Sequence, residues 1–389
     1  MQRIFERKRH IYLSGYFVIS TLLIFSIYSY GWVKSWTKIL VPTMTPFFAD
    51  LRSIQGAVIS SASGLNPQIK NPGDPWGRTM NYPSIWTHIG GVLNIQNPNN
   101  FLIFGLIIVF SFIACSFVLL SRYPSIWIFI GLLSNSTLLG IERGNIDLLI
   151  FVLITSSVIA PRFLQAPAFL LSVALKIYPI FALFSLRLSR KRFVVTTTST
   201  LLILIFLIPQ YKNILRGNTA ETNQGFGLKT TLSVISKNFS SIIQYNFKLV
   251  YSLICIFLFV VMAATWLYRK KIRIDFQNGI NNIERDSLFL AGGTIYVCIF
   301  AFTSNWDYRL IFLIMCIPKI ATLENRYFRA IFQILIVLCM NGSYLVVMMP
   351  TPLAALITTI ARLIVFVLLL ALIRKVLYAK MNQIDYLNH

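Results

Sequence analysis

Charge is what this chain has least of, and acid least of all. Its 389 residues hold 12 Asp and Glu against 35 Lys and Arg, and charged residues make up 12% of the total. A soluble domain carries about twice that fraction, so an ordinary water-exposed globule is excluded. Three histidines (His10, His88, His389) are scattered and set up neither a metal cluster nor a catalytic triad. The five cysteines (Cys115, Cys255, Cys298, Cys316, Cys339) fall inside apolar runs without metal-ligand spacing, which reads as packing. A Gly-rich phosphate loop is missing, and with it the usual mark of a nucleotide site. Missing too is the internal repeat typical of inverted-repeat transporters. Arg3, Arg7, Lys8 and Arg9 precede a long apolar run that lacks a small-residue cleavage site, so that run reads as an anchor, not a cleaved signal.

What is present is oil. Hydrophobic residues are 56% of the chain, arranged in runs the length of a bilayer-spanning helix. The net charge of +23 comes from short basic clusters between these runs, the pattern of cytoplasmic loops and not of a nucleic-acid-binding face. The expected fold is an all-α polytopic membrane protein forming a single domain over 1–389. It has about ten full spans, near 11–33, 99–120, 124–141, 146–160, 193–209, 247–268, 287–304, 309–323, 328–349 and 352–373. The run 166–186 lies between Arg162 and the basic cluster Arg187, Arg190, Lys191, Arg192, and holds Lys176 and Pro179 in its middle. Lysine is costly there and proline breaks a helix, so a short re-entrant hairpin is expected, with Lys176 and Tyr178 near its tip. Both termini then face the cytoplasm of a multi-pass plasma (inner) membrane protein. A large first external loop covers 34–98 and a second covers 210–246.

This topology puts the informative polar residues on one, extracytoplasmic, side. The first loop carries Asp50, Arg52, Asp74, Arg78 and Tyr82. Within it Phe47, Leu51, Ile54 and Val58 recur at helical spacing, which predicts a short interfacial helix with Asp50 on its other side. Glu142-Arg143-Gly144-Asn145-Ile146-Asp147 and Asn305-Trp306-Asp307-Tyr308-Arg309 lie at later turns on that side. Each segment also has a purely structural reading: a capped turn for the first, an interfacial aromatic belt for the second. Ionisable groups at the membrane edge are functional candidates by default.

Three segments carry a resemblance. Asp50 in the first external loop, followed by Gly64-Leu65-Asn66-Pro67, is similar to the opening of multi-spanning glycosyltransferases of the C superfamily. Glu142 to Leu149 resembles a segment of glycosyltransferase family 87, the polyprenyl-phosphate-mannose-dependent mannosyltransferase-like proteins. Leu175-Lys176-Ile177-Tyr178-Pro179 resembles that family's Lys-x-x-Pro segment. The added Glu142-Arg143 and the absence of histidine from 305–309 depart from the family pattern, so mannose is not specified. The resemblance implies a C-superfamily-like bundle that moves a hexose from a polyprenyl-phosphate sugar donor to a glycan or lipid-linked acceptor at the bilayer surface. Asp50 would be the general base. Arg78, Arg143, Lys176, Arg309 and Arg52 would bind the donor phosphate. Tyr82, Glu142, Asn145, Tyr178, Trp306 and Asp307 would line the substrate site. The reaction requires no cofactor on this reading, although Asp50, Asp74, Glu142 and Asp307 could hold Mg²⁺ or Mn²⁺. Two other classes stay open: a non-enzymatic flippase or transporter of lipid-linked sugars, and a polysaccharide polymerase.

Overall fold

The computed structural model describes residues 2–210, 225–231, 233, 276, 282–302, 305–349 and 351–387. The described residues are mostly helical; extended pairing among them is limited to a two-residue antiparallel contact, β1 (Gly225–Phe226) with β2 (Asn305–Trp306), and an isolated antiparallel bridge between Phe276 and Leu323. Five of the described helices are long and apolar enough to cross a membrane: Gln2–Tyr30, Pro98–Arg122, Arg190–Gln210, Ile283–Phe302 and Leu353–Leu377. The chain divides into two compact units, Met1–Thr219 and Ala220–His389.

In the first unit, α1 (Gln2–Tyr30) presents apolar side chains outward for most of its length, as a lipid-facing helix does. A short α2 (Trp32–Lys38) follows. The predicted interfacial helix exists as α3 (Ala49–Ala62). It does not lie on a surface, however. Leu51, Ile54 and Val58 are buried, and so are Ser53, Gln55, Gly56 and Ala57 on its other faces. The cover comes from α4 (Ile85–Val92) and from the loop at Gly73. Gly56 and Gly73 make that contact backbone to backbone. A Cβ on Gly56 would sit 2.3 Å from the Asp74 nitrogen, so only glycine fits.

The long helix α5 (Pro98–Arg122) starts where Asn97 caps it and Pro98 takes the first position. The expected continuous span over 124–141 is not formed. Ser125 caps α6 (Ile126–Leu132) and Ser134 caps a second helix, α7 (Asn135–Arg143). At 7 and 9 residues these are about 10 and 14 Å long, well short of a bilayer core. The interrupting cause is the polar run Ser134-Asn135-Ser136-Thr137, whose hydroxyls satisfy helix ends instead of continuing one helix. Gly144, at φ +57°, ends α7, and Asn145 caps α8 (Ile146–Ile159). Helix α9 (Arg162–Leu175) stops where Lys176 turns extended, and a 3₁₀ segment, Tyr178–Ser185, follows with Pro179 in its first turn. The break expected at 176–179 is therefore present. The long helix α10 (Arg190–Leu207) completes the unit.

In the second unit, α11 (Asn282–Phe302) leads to β2. The α-helical span expected over 309–323 is instead a buried 3₁₀ segment, Asp307–Cys316, and a single turn, α12 (Ile317–Ile320). Gly292 of α11 lies against the Phe312 carbonyl, where a Cβ would be 2.2 Å away. The run over 328–349 is bent by 74° between α13 (Arg326–Met340) and α14 (Gly342–Met348), at Asn341. Helix α15 (Thr351–Leu387) is the last described element. The expected span at 247–268, and all of the second loop except 210, 225–231 and 233, lie outside the described residues.

Candidate functional site

Asp50 stands in the first turn of α3, where a helix N-terminus favours an acid. The turn before it is sharp: Phe48 takes a left-handed φ of +57°. Gly144 packs on the Phe48 ring, so the α7–α8 turn is seated directly against the entrance to α3. That contact delivers Asn145, whose Nδ2 donates to Asp50 Oδ2 at 2.5 Å.

From the other side comes Arg78. Its Nη1 is 3.5 Å from Asp50 Oδ1, and its Nη2 donates to the Ala49 carbonyl at 2.5 Å. Asp74 holds this guanidinium in two places, Oδ1 to Nη2 at 2.8 Å and Oδ2 to Nε at 3.1 Å. Asp74 Oδ2 also accepts from the backbone nitrogens of Trp76 and Arg78. Asp74 thus ties a tight turn through Gly77, φ +66°, and aims Arg78 at Asp50. Burial alone would lower the Arg78 pKa. The Asp74 hydrogen bond and the charges of Asp50 and Asp74 outweigh it and raise the value. The Arg78 guanidinium also lies over the Trp76 ring, 4.5 Å from its centroid.

The acids clustered around Asp50 differ sharply in access. The side chains of Asp74 and Glu142 are fully buried and that of Asp147 is 1% exposed, whereas Asp50 keeps 17% and Arg78 keeps 33%. Asp50 and Arg78 are the accessible pair, resting on a buried polar layer.

That layer contains Lys176 and Tyr178. Both bond to Asp147 Oδ1: Lys176 through Nζ, and Tyr178 through its hydroxyl at 2.7 Å. Lys176 Nζ also lies 4.9 Å from the centroid of the buried Tyr82 ring. Trp86 donates to the Leu175 carbonyl at 2.9 Å, fixing the end of α9 beside this group. Asn145 joins the two layers, because its Oδ1 accepts the Asp147 N–H at 2.8 Å. The expected hairpin cation is therefore the counter-ion of Asp147. The signal that could have revealed that pairing is an acid in the first turn of an apolar helix and a lysine in the middle of the next apolar run, each needing a partner in low dielectric.

The remaining expected residues have other tasks. Glu142 accepts from Trp32 Nε1 (3.2 Å), Thr43 Oγ1 (2.8 Å) and the Met44 nitrogen (2.9 Å), so it fastens the chain before α3 to α7. Burial pushes its pKa up, against the opposing pull of Arg143 and these donors. Arg143 Nε pairs with Glu142 at 3.1 Å, and its buried Nη1 has no hydrogen-bond partner among the described residues. Arg52 turns away from Asp50, as residues two apart on a helix do. It donates to the Phe47 carbonyl and to Gln55, and lies over the Phe101 ring. Its partial burial lowers its pKa.

Trp306, Asp307 and Arg309 belong to the second unit. There Trp306 pairs with Gly225 in the β contact. Asp307 Oδ1 accepts from Arg362 Nη2 at 2.9 Å, and Arg309 Nη1 donates to Asn305 Oδ1. Arg362, an arginine deep in α15, also donates to the Gly225 carbonyl at 2.8 Å. A second buried pair, Lys319 with Asp286 at 2.6 Å, ties α12 to α11. Among the described residues no three His, Cys, Asp or Glu side chains converge as metal ligands would.

Comparison of the chain with models of protein families, with curated proteins and with solved structures finds no match.

Proposed function

We propose that the protein is a membrane glycosyltransferase moving a hexose from a polyprenyl-phosphate donor to an acceptor hydroxyl. On this reading it spans the plasma membrane, with its termini in the cytoplasm and its site on the extracytoplasmic side. The observation that carries the reading is the Asp50–Arg78 pair. It is an accessible carboxylate and an accessible guanidinium, each fixed from behind by a buried polar residue, in a chain otherwise built for a bilayer.

The reaction has two needs that this pair meets. An attacking hydroxyl must give up a proton, and a positioned carboxylate can take it; such catalysis is worth about 10²–10⁴-fold. A departing lipid phosphate gains negative charge, and a preorganised cation stabilises it. Arginine suits this because its fork matches phosphate oxygens. Lys176 and Arg143 already hold buried acids, so in the first unit the phosphate role falls chiefly to Arg78. Tyr82 and the Asn145 and Tyr178 layer form the wall behind the pair. On the proposed topology the accessible pair Asp50–Arg78 lies at one membrane face and the deeper charges are paired with one another, which favours an enzyme over a flippase with polar groups along a path.

Membranes bearing Asp50→Asn or Asp50→Ala, supplied with a radiolabelled polyprenyl-phosphate hexose, test this. Transfer is expected to fall by about 10²-fold or more with normal accumulation of the protein. Wild-type rates in both variants would remove Asp50 as the base.

A further inference from the structure

We infer that Asn145 is the positioning residue of the site: by capping α8 it fixes its own carboxamide, and that carboxamide holds the Asp50 carboxylate in place. This deepens the reading of Asp50 as the base and rests on it.

The geometry is self-consistent at both ends of the amide. Asn145 is fully buried and stands in extended conformation at the N-cap of α8 (φ −73°, ψ 137°). Its Oδ1 accepts the Asp147 N–H at 2.8 Å, and its Nδ2 donates to Asp50 Oδ2 at 2.5 Å. The reverse amide orientation would set NH₂ against an N–H and oxygen against a carboxylate. Only one orientation is therefore allowed, and it points a donor at Asp50. Asn145 itself cannot drift. Its backbone nitrogen bonds to the Gly140 carbonyl at 3.0 Å, and the preceding Gly144 is wedged on Phe48. A capping residue at a plain turn would need no second partner. This one reaches 95 residues back along the chain to the one partly exposed acid of the cluster.

Arg78 faces Asp50 from the 74–78 turn, with Asp74 behind. Arg52, on its own helix, is engaged with Phe47 and Gln55. Helix α7 contributes the Glu142–Arg143 pair, and α4 contributes the exposed His88. Behind Asn145 stand Asp147, Lys176 and Tyr178.

Capping and donating can be separated by substitution. Asn145→Asp caps as well as asparagine does but sets a second carboxylate against Asp50, and two carboxylates sharing a site resist ionising together. Asn145→Ser keeps the cap and is too short to reach Asp50. The probe is a water-soluble carbodiimide with glycine amide, applied to the full-length protein in membranes across acid and neutral pH. Modification of Asp50 is read by peptide mass spectrometry. In Asn145→Asp, modification should persist to a pH higher by about one unit or more than in wild type, with unchanged thermal unfolding. Asn145→Ser should move it in the same direction by less, and serves if Asn145→Asp does not accumulate. A wild-type profile in either folded variant overturns the inference. The labelling needs no turnover. Absence of hexose transfer by the wild-type protein, together with shifted labelling in the variants, would sink the transferase reading and leave Asn145 as the holder of Asp50. In an active enzyme, Asn145→Ser should lower kcat about tenfold with KM nearly unchanged. An unchanged kcat would reduce Asn145 to a cap.

Discussion

Single side chains here do either structural or chemical duty, and burial tells them apart. Lys176 and Asp147 neutralise each other inside the first unit. Lys176→Met should cost about 3–5 kcal/mol by leaving Asp147 buried and uncompensated, and Lys176→Met with Asp147→Leu should recover part of it. A double-mutant cycle on thermal unfolding in detergent measures this. Additive losses would mean the two groups do not interact. Glu142 offers a pH test. Its pKa is raised by burial, so the folded state holds that proton more tightly than the unfolded chain does. Stability should be greatest below the ordinary glutamate value of 4.5 and decline as pH rises through the raised one. Glu142→Gln should flatten that part of the curve, and an unaltered decline would assign it to another group. The residues marked Lys176 as a charge inside an apolar run, but the role expected for it was binding the donor phosphate and not pairing with Asp147. That Glu142 would take Trp32, Thr43 and Met44 was not legible, because those contacts join positions about a hundred residues apart.

At the scale of elements, glycines set how closely the pieces approach. Gly56 and Gly73 let the 71–78 loop lie on the α3 backbone, and that contact places Arg78. Gly56→Ala should displace the loop, lower the melting temperature and reduce transfer by about tenfold or more, since small misplacements of a catalytic group are costly. Gly91→Ala, with open space around its Cβ, is the control and should change neither. Equal behaviour of the two variants would deny the loop contact a role. Hydropathy anticipated α1, α5, α10, α11 and α15, because twenty apolar residues in a row have one stable form in a bilayer. It did not anticipate the division of 124–141 into α6 and α7, nor the 3₁₀ segment at 307–316. Both segments are apolar enough to pass for spans. They differ only in whether local caps and neighbouring backbones interrupt the helix.

For the molecule as a whole, the proposed orientation has a direct check. Cysteine introduced at the exposed Lys70 should react with a membrane-impermeant maleimide added outside intact cells, and cysteine at the exposed Arg190 should not, until the membrane is opened. External labelling at Arg190 would reverse the placement of the site.

Composition and hydropathy alone settle that this chain is helical, apolar and poor in charge, and they single out the few ionisable residues worth attention. Such properties follow from the solvent each stretch must suit, and solvent preference is written locally. Which charge meets which is not local. Arg78 and Asn145 reach Asp50 because a glycine contact seats one loop and a capped turn seats another. Arg52, its near neighbour in sequence, turns away because helix geometry sends it to the opposite side. Asp50 was the residue to watch from its place in the chain. Its partners were decided by packing, since a hydrogen bond depends on a few tenths of an ångström that only the assembled helices define.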